Sequence, residues 1–215
     1  MKICTIFSIA AIVLFFTFCI TNAQTTDVIP LSPGWNFISL PKDPPIKTPG
    51  EVLKEVSPNV RIVWGYDNVN KSWSNYKPGV TSSLAVMESG KGYWIYMNGS
   101  DSISMINWTA PQSPINLYQG WNLMGYNGTD GLSVSNALNT ISDQWLIIWN
   151  WMAETWYATH ATLNLSPTIQ PITNLYQGKA YWINMKQETT YIVELPSASC
   201  GTWDLSVWDN GVWCQ

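Results

Sequence analysis

Apolar and polar residues alternate along several short stretches of this chain, with the period of two that is typical of β-strands. The alternation defines three strand faces, made of Trp35, Phe37 and Ser39, of Ile62, Trp64 and Tyr66, and of Tyr93, Ile95 and Met97. Turn residues Asp67 to Asn70 lead into a further strand over residues 72–76. The pattern therefore predicts runs of antiparallel strands joined by turns.

Two short helices interrupt the strands. Pro49 starts a helical stretch that Pro58 ends, with Thr48 near the cap and Glu51 beside the positive helix end. Val134, Leu138 and Ile141 are spaced as on one face of a helix, which predicts a second short helix with Ser133 or Ser135 as its N-cap.

Three segments of the chain occur twice, in the same order and at nearly the same offset. They are Gly34–Leu40 with Gly120–Tyr126, Ile62–Tyr66 with Ile147–Trp151, and Gly90–Met97 with Gly178–Met185. Such self-similarity indicates a duplicated unit. We predict a mainly β fold: two repeated antiparallel β units, each a small barrel or sandwich with one short helix, plus a C-terminal hairpin. The units span residues 29–106 and 115–195, and the hairpin extension spans 196–215.

Residues 1–23 have the features of a secretory signal peptide. Lys2 provides the positive start, an uncharged stretch follows to Ile20, and Ala23 is a small residue at the cleavage point. The alternative is an uncleaved anchor, because the apolar run is long enough to span a bilayer. After signal cleavage we expect no stable membrane span and a location outside the cell or in its envelope.

The terminal extension carries a hairpin signal at Asn210-Gly211. If these two residues form the loop, Trp208 lies opposite Trp213. Cys200 and Cys214 are the cysteines that remain after the signal, and an exported chain favours a disulfide between them over two free thiols.

Charged residues make up only 11% of the chain, and the formal net charge is −4. A nucleic-acid partner is therefore not expected, because such partners require basic surfaces. Five Asn-x-Ser/Thr sequons offer N-glycosylation, which would add to solubility: Asn70, Asn98, Asn107, Asn127 and Asn164.

The sequence offers little for catalysis. His160 is the only histidine, it has no nucleophile motif around it, and we interpret it as a solvent-facing or hydrogen-bonded structural residue. Gly90-Lys91-Gly92 lacks the context of a phosphate loop and is interpreted as a tight turn. We predict no catalytic residues, no metal site and no cofactor.

Tryptophan is the unusual feature, with 14 residues in the chain. Positions that are tryptophan in both copies are expected to serve a shared core, and so many large rings should leave others exposed. The candidate ligand-binding residues are Trp203, Trp208 and Trp213 of the extension. The alternative is that these three rings pack on the second unit as a cap.

The Gly-Trp-Asn opening at Gly34, the Val-Trp-x-Tyr stretch ending at Tyr66 and the Gly-x-Gly-Tyr-Trp-Ile stretch ending at Ile95 resemble repeat modules of exported, cell-surface or S-layer-associated proteins of archaea and bacteria. The second copy departs from the pattern, with Ala180 in place of Gly92 and Asn184 in place of Tyr96. The resemblance implies a scaffold and no defined activity.

Three functions follow as hypotheses. The first is a secreted, non-catalytic β protein of the envelope or the exterior, acting through surface association or adhesion with a protein or a glycan. The alternative is a carbohydrate-binding protein that uses exposed tryptophans. A hydrolase with spatially assembled carboxylates is the least favoured.

Overall fold

The computed structural model describes residues 27–193, 201–202 and 212–213. Short strands dominate these residues, and all of the named strand pairs are antiparallel. The prediction of a mainly β fold with short helices is therefore confirmed. Of the two predicted forms, the barrel is not observed, because none of the described sheets closes on itself.

We call the first six strands and their helix the first unit. Its strands are β1 (Val28–Leu31), β2 (Gly34–Ser39), β3 (Val60–Asp67), β4 (Ser72–Tyr76), β5 (Gly92–Met97) and β6 (Asp101–Ser104). Helix α1 (Pro49–Val52) is a single turn, shorter than the helix predicted to run to Val56, and turns follow it.

We call the next eight strands and their helix the second unit. Its strands are β7 (Ile115–Leu117), β8 (Gly120–Gly125), β9 (Leu132–Ser133), β10 (Trp145–Met152), β11 (Thr155–His160), β12 (Asn174–Leu175), β13 (Ala180–Met185) and β14 (Thr189–Tyr191). Helix α2 (Val134–Ala137) begins at the predicted cap, where the Ser133 side chain accepts a hydrogen bond from Asn136 N–H. A 3₁₀ turn at Asn139–Ile141 follows it.

The two units contain four-stranded sheets with the same architecture. The strand order is β2-β5-β3-β4 in the first and β8-β13-β10-β11 in the second. The registers correspond as well, since Phe37 pairs with Trp94 in the first sheet and Leu123 pairs with Trp182 in the second. Each unit also contains a two-stranded sheet formed by its first and last strands, which are β1 and β6 in the first unit and β7 and β14 in the second.

The Gly-Trp-Asn segment has a structural explanation in both units. The Asn36 side chain accepts a hydrogen bond from Ser32 N–H at 2.9 Å and donates to Ser32 O at 2.7 Å. Asn122 repeats both bonds with Tyr118. The glycine between them has a positive φ, +86° at Gly34 and +79° at Gly120, which glycine adopts without steric cost. The segment thus fixes the turn that starts each sheet.

Each sheet buries one face in the core of its own unit. In the first unit this face includes Leu40, Val63 and Ile95, which are fully buried against the helix and the small sheet. The second unit has the equivalent core, with Ile148 and Ile183 fully buried. The core residues are mostly aliphatic, so the aromatic side chains of the sheets lie largely on the opposite face.

The units are joined at the ends of the edge strands β2 and β8. Ser39 N–H donates to Gly178 O at 2.9 Å, and Gly125 N–H donates to Gly90 O at 3.0 Å. These two bonds are equivalent under exchange of the units, because Ser39 and Gly125 both end their strands and Gly90 and Gly178 both precede theirs. The contact therefore has approximate two-fold symmetry.

Asn127 adds a polar contact at this junction. Asn127 is 1% exposed. With its amide group oriented so that both the oxygen and the nitrogen have partners, the oxygen accepts from Gly90 N–H at 2.8 Å and the nitrogen donates to Leu40 O at 3.2 Å. The prediction that Asn127 is a glycosylation site is wrong, because a buried amide cannot carry a glycan. The other four sequon asparagines are exposed, so glycosylation there stays a prediction.

Strands β15 (Gly201–Thr202) and β16 (Val212–Trp213) pair antiparallel in the extension. Gly201 lies opposite Trp213. Trp208, which was predicted to lie opposite Trp213 across a two-residue loop, is outside the described residues. The predicted disulfide residues Cys200 and Cys214 lie outside the described residues, as does the signal peptide over residues 1–23.

Candidate functional site: an aromatic cluster with two grooves

Ten aromatic side chains gather where the two sheets meet. We call them the aromatic cluster: Trp35, Trp64, Tyr66, Trp73, Trp94, Trp121, Trp149, Trp151, Trp156 and Trp182. They project from the sheet faces that do not contribute to the two unit cores, and Phe37 and Leu123 are buried beneath them.

Strand register explains how each unit assembles its part. Trp64 pairs with Trp94 across β3 and β5, and Tyr66 pairs with Trp73 across β3 and β4. Paired residues in antiparallel strands lie on the same face, so the large rings stand side by side. The second unit repeats this arrangement, with Trp149 opposite Trp182 and Trp151 opposite Trp156.

Rings of the two units contact each other across the junction. The centroids of Trp94 and Trp151 are 5.2 Å apart, and those of Tyr66 and Trp182 are 4.9 Å apart. These contacts are equivalent under exchange of the units, because Trp94 corresponds to Trp182 and Tyr66 to Trp151. The cluster thus belongs to both units.

The cluster forms two open grooves. The first has a volume of about 560 Å³ and is lined by Trp35, Trp64, Trp73, Trp94, Trp151 and Trp156. The second has a volume of about 500 Å³ and is lined by Tyr66, Trp73, Trp121, Trp149, Trp156 and Trp182. Each groove combines four rings from one sheet with two rings from the other sheet. Trp73 and Trp156 line both, so the grooves adjoin.

The rings form walls at steep angles to one another. The angle between the two ring planes is 89° for Trp35 and Trp94, 88° for Trp121 and Trp182, and 89° for Trp64 and Trp73. Edge-to-face packing is a preferred geometry of aromatic pairs. It gives ridged grooves here and not a single flat platform.

The grooves are accessible and largely apolar. Four of the rings are between 40% and 47% exposed, namely Trp35, Trp73, Trp121 and Trp156. No indole N–H of the cluster donates a hydrogen bond to another atom within residues 27–193, and none of these nitrogens is a buried unpaired atom. Among the described residues, the cluster therefore presents indole N–H groups without a hydrogen-bond partner, as well as ring faces.

Two charged residues adjoin residues of the second groove: Asp67 follows Tyr66 in the chain, and Lys71 is bonded to the backbone of Trp121. Hydrogen bonds from Asn70 and Val69 hold the pKa of Asp67 below its ordinary value. Burial, with the nearby charge of Asp67, raises the pKa of Tyr66, so its hydroxyl stays neutral. Burial lowers the pKa of Lys71, which donates to Trp121 O at 2.8 Å.

The structure changes the assignment of the candidate residues. The paired tryptophans were expected in a shared core, and this prediction is wrong for the exposed rings named above. Trp203 and Trp208 lie outside the described residues, and of Trp213 only the place in β16 is described.

One signal could have marked the aromatic face: Asn184 occupies the position of Tyr96 and pairs with Trp121, and a polar residue there indicates an open face.

Outside the aromatic cluster, His160 is held by hydrogen bonds to its own loop. The His160 Nδ1 atom accepts from Thr162 N–H at 3.1 Å and from Leu163 N–H at 3.0 Å, as predicted for a hydrogen-bonded histidine. Within the described ranges, no three His, Cys, Asp or Glu side chains come together as metal ligands. The same residues include no helix long and apolar enough to cross a membrane.

No protein-family model, curated protein or solved structure matches this chain.

Proposed function

We propose that this chain is a secreted, non-catalytic β protein that associates with a surface in the cell envelope or outside the cell, and that the aromatic cluster is its contact surface. The observation that carries the proposal is the pair of accessible grooves lined by tryptophan. Contiguous exposed apolar surface of this kind typically marks an interaction site.

The composition of the grooves favours binding over catalysis. None of the residues that line them is a carboxylate, histidine, lysine, serine or cysteine. General acid–base and nucleophilic catalysis depend on such groups at the reacting atoms. Large aromatic side chains, in contrast, dominate the energetics of binding surfaces.

The test is co-sedimentation of the purified mature chain with cell envelopes isolated from the organism that encodes it. Trp73 and Trp156 are the residues to change, because they line both grooves and are 47% and 42% exposed. We expect the wild type to sediment with the envelopes and the double variant Trp73→Ala/Trp156→Ala to remain in the supernatant. Leu163→Ala is the matched control, since this side chain is 65% exposed and outside the grooves.

Two results would count against the proposal. One is a wild-type chain that stays in the supernatant although it is folded. The other is a double variant that binds as well as the wild type.

Carbohydrate binding is the second candidate. The observation that favours it is the exposure of Trp35 and Trp121, whose large faces could stack on sugar rings. A glycan array probed with the mature chain tests it, with Trp35→Ala/Trp121→Ala as the variant. Specific binding that this variant loses would support it, and absence of binding to every glycan would exclude it.

A further inference from the structure

The hydrogen-bonding character of the grooves restricts what they can bind. The first groove is lined by tryptophan alone, and the indole nitrogen is a donor that cannot accept. In the second groove, the Tyr66 hydroxyl is the only acceptor that the lining side chains provide. The lining side chains thus offer donors and ring faces with almost no acceptors.

A suitable ligand has apolar faces and acceptors but few donors. A donor that packs against these ring faces finds at most the Tyr66 hydroxyl as an acceptor among the lining side chains, and it is penalised wherever the contact also removes its water. Sugar hydroxyl groups are donors as well as acceptors, so a glycan would leave its donors without protein partners here. Proline has an apolar ring and a carbonyl acceptor, and it lacks a backbone N–H.

The shape of the grooves agrees with this chemistry. A flat platform would suit a flat sugar face, but the ring planes of neighbouring residues in this cluster are inclined at 60° to 89° to each other. A polyproline II helix has three residues per turn and presents ridges of side chains. Grooves lined by aromatic rings are an established way to recognise such a helix, because its conformation is formed before binding.

We propose, on the basis of the attachment function above, that the grooves bind proline-rich segments of a partner polypeptide in the polyproline II conformation. Indole N–H groups donate to the carbonyl oxygens of the segment, and its proline rings pack between the upright rings. Because Trp73 and Trp156 line both grooves, one segment can pass from the first groove to the second.

Decaproline is the probe, and the titration is followed by the tryptophan fluorescence of the full chain and by calorimetry. The informative variants are Trp35→Phe and Trp121→Phe, which keep an aromatic ring and remove the indole N–H. We expect saturable binding by the wild type and a loss of about two- to tenfold in affinity in each variant, the usual contribution of one hydrogen bond. Trp108→Phe is the matched control, because Trp108 packs on the first core outside the grooves.

The outcomes separate this inference from the attachment function. A chain that binds envelopes through Trp73 and Trp156 but does not bind decaproline overturns the inference and leaves the attachment function standing. Binding of cello- or chito-oligosaccharides in place of decaproline overturns it in favour of a glycan ligand. Decaproline binding that is equal in wild type, Trp35→Phe and Trp121→Phe also overturns it, because the donors would then contribute nothing. If the folded chain binds neither envelopes nor decaproline, both proposals fail.

Discussion

The ring of Trp94 lies 5.2 Å from the ring of Trp151, centroid to centroid, and the two residues belong to different units. The same rings line the first groove, so the groove exists only where the units meet. The junction therefore holds the units together and also builds the proposed contact surface.

Leu123 and Trp121 test this division, because they lie two residues apart on the same face of β8. Leu123 is fully buried in the junction, whereas Trp121 is 40% exposed. We expect Leu123→Ala to lower the free energy of unfolding by about 2–5 kcal/mol, the usual cost of a cavity. Trp121→Ala should cost less than about 1.5 kcal/mol, since exposed side chains contribute less. Urea unfolding of both variants measures this, and an equal or reversed order would contradict the placement of the junction.

Gly125 tests how closely the units approach. A Cβ atom at this position would lie 2.6 Å from the Ser39 Cβ atom and 2.7 Å from Lys91 O. Neither atom can move freely, because Lys91 O belongs to the backbone and the Ser39 Cβ atom is bonded directly to it. We expect Gly125→Ala to destabilise the chain by about 1–3 kcal/mol through overpacking. Gly50→Ala is the control, because its Cβ atom would meet only Tyr76 Oη at 3.5 Å within α1. Gly125→Ala with wild-type thermal stability would show that the units do not pack this way.

Acid should weaken the first unit through a charge network beside the junction. Burial opposes ionisation of Asp43, but the Ser89 N–H and the Lys47 ammonium outweigh it and lower its pKa. Burial likewise opposes ionisation of Glu88, but Lys91 and Lys47 outweigh it and lower its pKa too. A carboxyl group with a lower pKa in the folded state stabilises the fold above its unfolded pKa of about 4, and this contribution is lost as the pH falls through the folded value.

The corresponding measurement is urea unfolding between pH 7 and pH 2.5. We expect stability to fall below about pH 4, and to fall less steeply in Asp43→Asn. The amide in that variant can still accept the hydrogen bond from Ser89 N–H, which is 2.9 Å long in the wild type. Stability that rises on acidification, or an unchanged slope in the variant, would contradict the assignment.

Local patterns in the sequence predicted the strands well. Alternation placed Ile62, Trp64 and Tyr66 on one face of β3, and the structure agrees. Strand β10 of the second sheet was predicted from the same pattern in Ile147–Trp151. These features depend on neighbours in the chain, which is why the sequence alone was sufficient.

The assignment of the two faces could not be predicted in the same way. Both faces of β3 are apolar, with Val63 on one and Trp64 on the other, so hydrophobicity did not identify the core. The grooves need rings from both units, and their packing depends on contacts such as that of Gly92 with Ala180, which are distant in the sequence.

The central claim is that the chain attaches through the aromatic cluster and not through the terminal extension. The most direct measurement compares the envelope-binding isotherms of Trp35→Ala/Trp121→Ala and Trp203→Ala/Trp208→Ala/Trp213→Ala, each in the full chain and each shown to be folded by circular dichroism. We predict that the first variant loses at least about tenfold in affinity, as expected for residues at the centre of a binding surface, and that the second binds like the wild type. Loss of binding in the second variant with retention in the first would contradict it.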